Sequence, residues 1–272
     1  MADQQARRPA FDTPPEGREG ADADVLLTED EPGLAVLTFN RPARHNAFSD
    51  ASDRLLFEHL ETLSDRTDLR CLVIRGAGRS FSSGRDTKEL GIRPDGVSDY
   101  GYIAAGHAGT RLLLNLRCPT IAALKGWVLG GSFERALLCD LRVAADDTRM
   151  ALPELAHGVI PDSGGVARLF QMAGHGLASD LALTGRVMDA HEAVRHGIVS
   201  RVVPVDDLDD EVMTIARTIV ARPQLATELA KATISALATP DVDATLQREH
   251  LAQTTVMASA EFQQARAART TS

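Results

Sequence analysis

The chain has 272 residues, 44% of them hydrophobic and 25% charged, with a net charge of −9. That supplies ample apolar material for a core, and the acidic balance disfavours a protein that coats nucleic acid or an anionic membrane, since both demand a dense basic footprint. No run reaches the ~18 to 20 apolar residues of a bilayer span, and the N-terminal segment lacks the apolar stretch of a secretory signal, so the cytoplasm is the expected location. Cys71, Cys118 and Cys139 sit singly in apolar runs without C-x-x-C or Cys/His spacing. They read as buried thiols, and no metal site is expected.

Residues 1–23, rich in proline, glycine and charge, predict a disordered tail. VLLTEDEPGLAVLTFNRP then predicts two strands around a turn at Glu31, Pro32 and Gly33. From Ser49, Leu55, Leu56, His59, Leu60 and Leu63 follow helical spacing behind a serine or aspartate cap. Next come a strand in LRCLVIRG, a polar turn in AGRSFSSGRD and a short helix in TKEL. The rhythm continues as helix AGTRLLLNLR, strand TIAALKG, helix FERALLCD, strands LRVAAD and RMALPEL, and helix VARLFQMAG, a mixed α/β pattern. From about Asp206 the composition turns helical, in three segments divided at Pro223 and Pro240. The expected organisation is a tail over 1–23, a core over 24–205 and a helical region over 206–272.

Two glycine-containing turns bear on function. GAGRSF lacks the third glycine of a dinucleotide fingerprint, Phe81 standing in its place, and no G-x-S-x-G nucleophile elbow occurs. FSSGRDTKEL and GWVLGGSFERALLCD each place glycine between a strand and a helix, where a backbone N–H and the helix dipole favour an anion. Glu134, just inside the second helix, also fits a plain first-turn glutamate. Glu154 follows Pro153 among apolar neighbours, which predicts a raised pKa suited to proton transfer. Spacing alone does not bring the two glutamates together.

With NRPARHNAFS, LPELAHGVIPDSGG and LTGRVMDAHEAVRHGIVSRVVP added, the order and spacing over residues 25–204 resemble the enoyl-CoA hydratase/isomerase (crotonase) family. The resemblance implies an α/β spiral of repeated strand–strand–helix turns and a C-terminal helical trimerisation region. It implies an acyl-CoA thioester substrate, no metal, no cofactor beyond the CoA of the substrate, and a homotrimer or dimer of trimers. By position, the N–H groups of Arg85 and Gly131 become the oxyanion donors. Glu134 and Glu154 become the catalytic pair, Glu154 serving the α-carbon and Glu134 the water. Arg44, His45, Ala47, Ser83, Asp86, Thr87, Lys88 and Gly130 fall where relatives contact substrate or CoA, and Asp140 is structural.

The implied reaction is hydration of a trans-2-enoyl-CoA. Two departures bear on it: Arg85 replaces a residue usually small in hydratases, and Asp162 stands where many hydratases have glycine. Asp162 keeps an enoyl-CoA or dienoyl-CoA double-bond isomerase as the alternative. The basic and aromatic tail through which many relatives contact CoA is not found after EFQQARAAR. The segment 91–109, where the family lines its acyl pocket, is expected to be flexible. A third reading, a non-catalytic acyl-CoA binder or scaffold, is disfavoured by retention of both glutamates.

Overall fold

The computed structural model describes residues 20–270. The expected tail therefore lies largely outside the described residues, and Gly20–Asp22 forms a turn of 3-10 helix. The hairpin follows as β1 (Val25–Glu31) and β2 (Leu34–Phe39), antiparallel with Val25 opposite Phe39. β3 (Cys71–Gly76), β4 (Thr120–Leu124), β6 (Leu141–Ala145) and β9 (Arg201–Val203) extend it in parallel, in the order β1-β2-β3-β4-β6-β9. All five residues of β4 are buried, as a parallel strand covered on both faces requires. A smaller sheet holds β5 (Trp127–Leu129), β7 (Arg149–Ala151) and β8 (Met188–Asp189), in the order β5-β7-β8.

Successive turns of chain thus give one strand to each sheet and then a helix. β4 and β5 lead into α3 (Gly131–Leu138), and β6 and β7 lead into α4 (Gly165–Thr184). α1 (Asp50–Ser64) begins with a capping box between Ser49 and Ser52 and buries Leu56, Phe57, Leu60 and Leu63 in the main core. The period of two along a strand sends Leu72 and Ile74 to that core and Cys71 and Val73 to the opposite face. There Leu208, Val212 and Ala216 of α6 (Leu208–Val220) cover them. The three cysteines are buried and unpaired.

Three expectations are corrected. Thr87 to Leu90 forms a turn, not a helix: Asp86 starts it by taking the N–H of Lys88 on its carboxylate and that of Glu89 on its carbonyl, and Gly91, at φ +79°, ends it within one turn. Within the glycine-rich stretch, α2 (Asp99–Leu114) starts nine residues before the expected Ala108, with Ser98 accepting the Gly101 N–H as its cap. Pro240 does not divide the C-terminal helices, since α7 runs unbroken over Gln224–Met257. Proline removes one N–H, and Gln171 of α4 braces that turn by donating to the Ala238 carbonyl and the Asp241 carboxylate, both at 3.1 Å. The break falls later, before α8 (Ala260–Thr270).

α7 buries Val242 and Leu246 against the start of α4, which fixes the loop entering that helix. Leu246→Ala is expected to lose about 2–5 kcal/mol of stability in urea unfolding. A loss below about 1 kcal/mol would mean that α7 contributes little to this core.

Candidate active site

A cavity of about 200 Å³ opens where the loop 83–91, α2, the start of α3, the segment 153–163 and the C-terminal helices meet. Its upper wall is made of two chain segments held edge to edge. Ser82 bridges Val128, and Leu129 donates its N–H to the Ser82 carbonyl at 3.0 Å. Phe48 donates to the Gly84 carbonyl and accepts from the Asp86 N–H, so the Arg85 N–H between them points the other way. Gly131 is the first residue of α3. Among the described residues neither the Arg85 nor the Gly131 N–H has a protein acceptor, and both residues line the cavity. Two unspent donors, one at a helix N-terminus, are what a developing oxyanion requires.

Gly130 carries φ +56°, and a Cβ there would lie 2.9 Å from Glu154 Oε1. The bare backbone lets the Glu154 carboxyl pack beside the donors. Both its oxygens are buried without a hydrogen-bond partner. Burial, then the charge of Glu134, push its pKa up to about 9.

Glu134 is held differently. It is 1% exposed, and its Oε1 accepts the N–H groups of Ser163 and Gly165, each at 3.1 Å. Gly165 has to be glycine, because a Cβ would lie 2.4 Å from the Glu134 Cβ. Burial pushes Glu134 up to about 7, while the N–H donors hold it below Glu154. Glu154, Asp162 and Ser163 form part of the cavity wall, whereas Glu134 sits one layer behind it with Oε2 unpartnered. Burial, then the Glu134 charge, push Asp162 up to about 8, with Arg135 and Arg85 opposing. His107 of α2, kept neutral by burial with a pKa of about 4, donates from Nε2 to the Asp162 carbonyl at 2.5 Å.

The Arg85 side chain turns away from the donors into a charge network. It meets Asp53 at 3.0 Å, Tyr102 Oη at 2.6 Å and Asp50, while Arg135 meets Asp53 and lies 4.4 Å above the Phe48 ring. Its pairing replaces a free cation at the cavity mouth. Asp50, Asp53, Tyr102 and Arg135 line or flank the cavity and were not singled out from sequence.

Of the other residues expected to touch substrate, Ser83, Thr87 and Gly130 are on the wall. Arg44, His45, Ala47, Asp86 and Lys88 lie outside it. Arg44 is 4.0 Å from Asp86, and Lys88 is exposed. His45 contacts Ser80 Oγ at 2.8 Å, the Ala47 carbonyl accepts from Arg41, and Asp86 pairs with Arg41 at 3.4 Å. Asn46 donates to the carbonyls of Ala77 and Ser80, so the NRPARHNAFS motif latches in place the loop that leads to Arg85. Asp140 caps β4 by accepting from Thr120 and pairs with Lys231 at 2.8 Å, a structural role. Among the described residues no group of His, Cys, Asp and Glu is placed to hold a metal ion.

Residues 29–270 match the family model described as enoyl-CoA hydratase/isomerase. A probable enoyl-CoA hydratase of Mycobacterium bovis is 36% identical over 219 residues, covering 78% of this chain and 81% of that protein. The crotonyl-CoA hydratase of Syntrophomonas wolfei is 34% identical over 226 residues, covering 82% and 86%. A crystal structure of an enoyl-CoA hydratase from Mycobacterium avium subsp. paratuberculosis superposes with a TM-score of 0.82 at 26% identity, over 90% of this chain and 98% of that one.

Buried carboxyls with raised pKa values also set how stability varies with pH. Glu134, Asp162, Glu154 and, on α7, Glu249 hold protons that the unfolded chain releases near its ordinary carboxylate pKa. Their contribution is complete below that value and is lost as pH rises toward about 9. Calorimetry is expected to show Tm falling from pH 6 to 9. A Tm that rises over that interval would contradict the burial of these groups as acids.

Proposed function

The chain belongs to the enoyl-CoA hydratase/isomerase family, and we infer that it adds water across the 2,3 double bond of a trans-2-enoyl-CoA to give a 3-hydroxyacyl-CoA. The observation that carries this reading is the unequal pair of glutamates beside two free N–H donors. The N–H groups of Arg85 and Gly131 receive the thioester oxygen and stabilise the enolate charge that forms on it. Glu134, its anion supported by backbone donors, accepts a proton from water through its unpartnered Oε2 as the water oxygen bonds to the β-carbon. Glu154, whose anion has no such support, holds a proton and delivers it to the α-carbon. One proton leaves water and one enters carbon, so the balance closes without a redox step. CoA is part of the substrate, and no separate cofactor enters the reading.

A second reading has one observation in its favour. Asp162 and Glu154 both line the cavity, and two acids facing one acyl chain can move a proton between carbons and shift a double bond. Product analysis separates the two reactions: a 3-hydroxyacyl thioester marks hydration, and a relocated double bond marks isomerisation.

The proposed assembly is a homotrimer or a dimer of trimers. α7 leaves Leu225, Leu229, Ile234 and Leu237 58–83% exposed, a patch that a second copy of the chain would cover. Light scattering is expected to give three or six times the 29.2 kDa of the chain; a monomer would refute the assembly.

Mixed with crotonyl-CoA or a longer 2-enoyl-CoA, the protein should remove the absorbance of the conjugated thioester. Glu134→Gln and Glu154→Gln should each lower kcat by about 100-fold or more. The pH profile should rise through about 7, as Glu134 ionises, and fall through about 9, as Glu154 loses its proton. Full activity in either variant would remove that glutamate from the mechanism.

A further inference from the structure

Three consecutive peptide N–H groups at the start of α4 are divided between two carboxyls. Those of Ser163 and Gly165 go to Glu134 Oε1, while that of Gly164, between them, goes to Glu249 Oε2 at 3.0 Å. Glu249 comes from α7, far along the chain from the cavity loops, and is 7% exposed. One turn later Gln253 accepts the Ile160 N–H at 3.1 Å, so α7 grips the segment 160–165 at two points. The second oxygen of Glu249 is buried with no partner. A glutamate is seldom buried without a specific contact to justify it, and here the only hydrogen bond its carboxyl makes within the described residues is to the Gly164 peptide.

We propose that Glu249 is a positioning residue for Glu134: by fixing the Gly164 peptide, it turns the two flanking N–H groups toward the carboxylate that accepts the proton from water. The last step rests on the hydratase reading; the anchoring of the loop does not. Without the anchor the segment relaxes, Glu134 loses donors that favour its anion, and it ionises at higher pH. The titratable groups around Glu249 are Glu134 and Asp162 across the loop. Between α2 and α7, His107 meets His250 edge-on, His250 stacks on Tyr100, and Arg111 pairs with Asp243. The first turn of α4 adds no acidic group. Burial, then the Glu134 charge, push Glu249 up to about 9, so it is a neutral acceptor while Glu134 titrates.

The test compares Glu249→Met, which fills similar space without an oxygen, with Glu249→Gln, whose amide oxygen can still accept the Gly164 N–H. In Glu249→Met the acid limb of kcat/KM is expected to move about one pH unit upward, lowering activity about tenfold below the limb. Glu249→Gln is expected to restore the wild-type limb. An unmoved limb in the methionine variant, or the same shift in both variants, overturns the proposal. Amide hydrogen exchange over residues 160–166 gives a readout independent of turnover. It should quicken in the methionine variant only, and unchanged protection there also overturns the proposal. If the unmodified chain hydrates no enoyl thioester, the hydratase reading falls, and exchange alone decides the anchoring. Glu249→Ala, judged by the same criteria, replaces the methionine variant if that one does not fold.

Discussion

Desolvating a carboxyl disfavours its charged form, and this protein buries several carboxyls around one loop. The remaining features of the site follow from how unequally the backbone compensates. Glu134 receives peptide N–H groups and ionises first; Glu154 receives none on either oxygen and keeps its proton longer. In the proposed hydration, two chemically identical side chains serve as base and acid through their surroundings alone. The same reasoning explains why peptide donors, not cations, face the reacting thioester. A free arginine among these carboxyls would hold them all ionised, and the structure spends the charge of Arg85 on Asp50 and Asp53 instead.

The scaffold delivers this arrangement by pairing short parallel strands. β5 and β7 pair with Leu129 opposite Ala151, so the residues leaving each strand emerge side by side. From β5 the chain passes directly into Gly130, Gly131 and α3; from β7 it passes into Pro153 and Glu154. The start of α3 and the Glu154 carboxyl are therefore neighbours because of one strand register. Glycine at 130 and 165 removes the side chains that would hold the two carboxyls off the backbone. The C-terminal helices then close the cavity from outside, with Met257 and Phe262 on its wall.

Much of the architecture was legible because it rests on local patterns. Alternating and continuous apolar runs marked the strands, and the serine cap marked α1. The two glutamates could be identified by motif, but their convergence depends on the pairing of three-residue strands that carry no recognisable register signal. The helix expected at Thr87 to Leu90 stops after one turn because Gly91 takes a left-handed conformation there, at φ +79°. Pro240 misled because tertiary packing on α2 and α4 outweighs the loss of one N–H. Several residues assigned to CoA by position also tie down the loop that leads to Arg85, contacts that only the folded chain shows. Glu249 gave no signal at all: in sequence it is one polar position of an amphipathic helix.

The backbone splits the proton affinities of Glu134 and Glu154. Infrared spectroscopy of the protonated-carboxyl C=O stretch, in protein carrying isotope-labelled glutamate and assigned through the two glutamine variants, reads this without turnover. The Glu134 band should disappear as pH rises through about 7, and the Glu154 band should persist to about 9. Loss of both bands together in the ordinary carboxylate range near 4, or loss of Glu154 first, would contradict it.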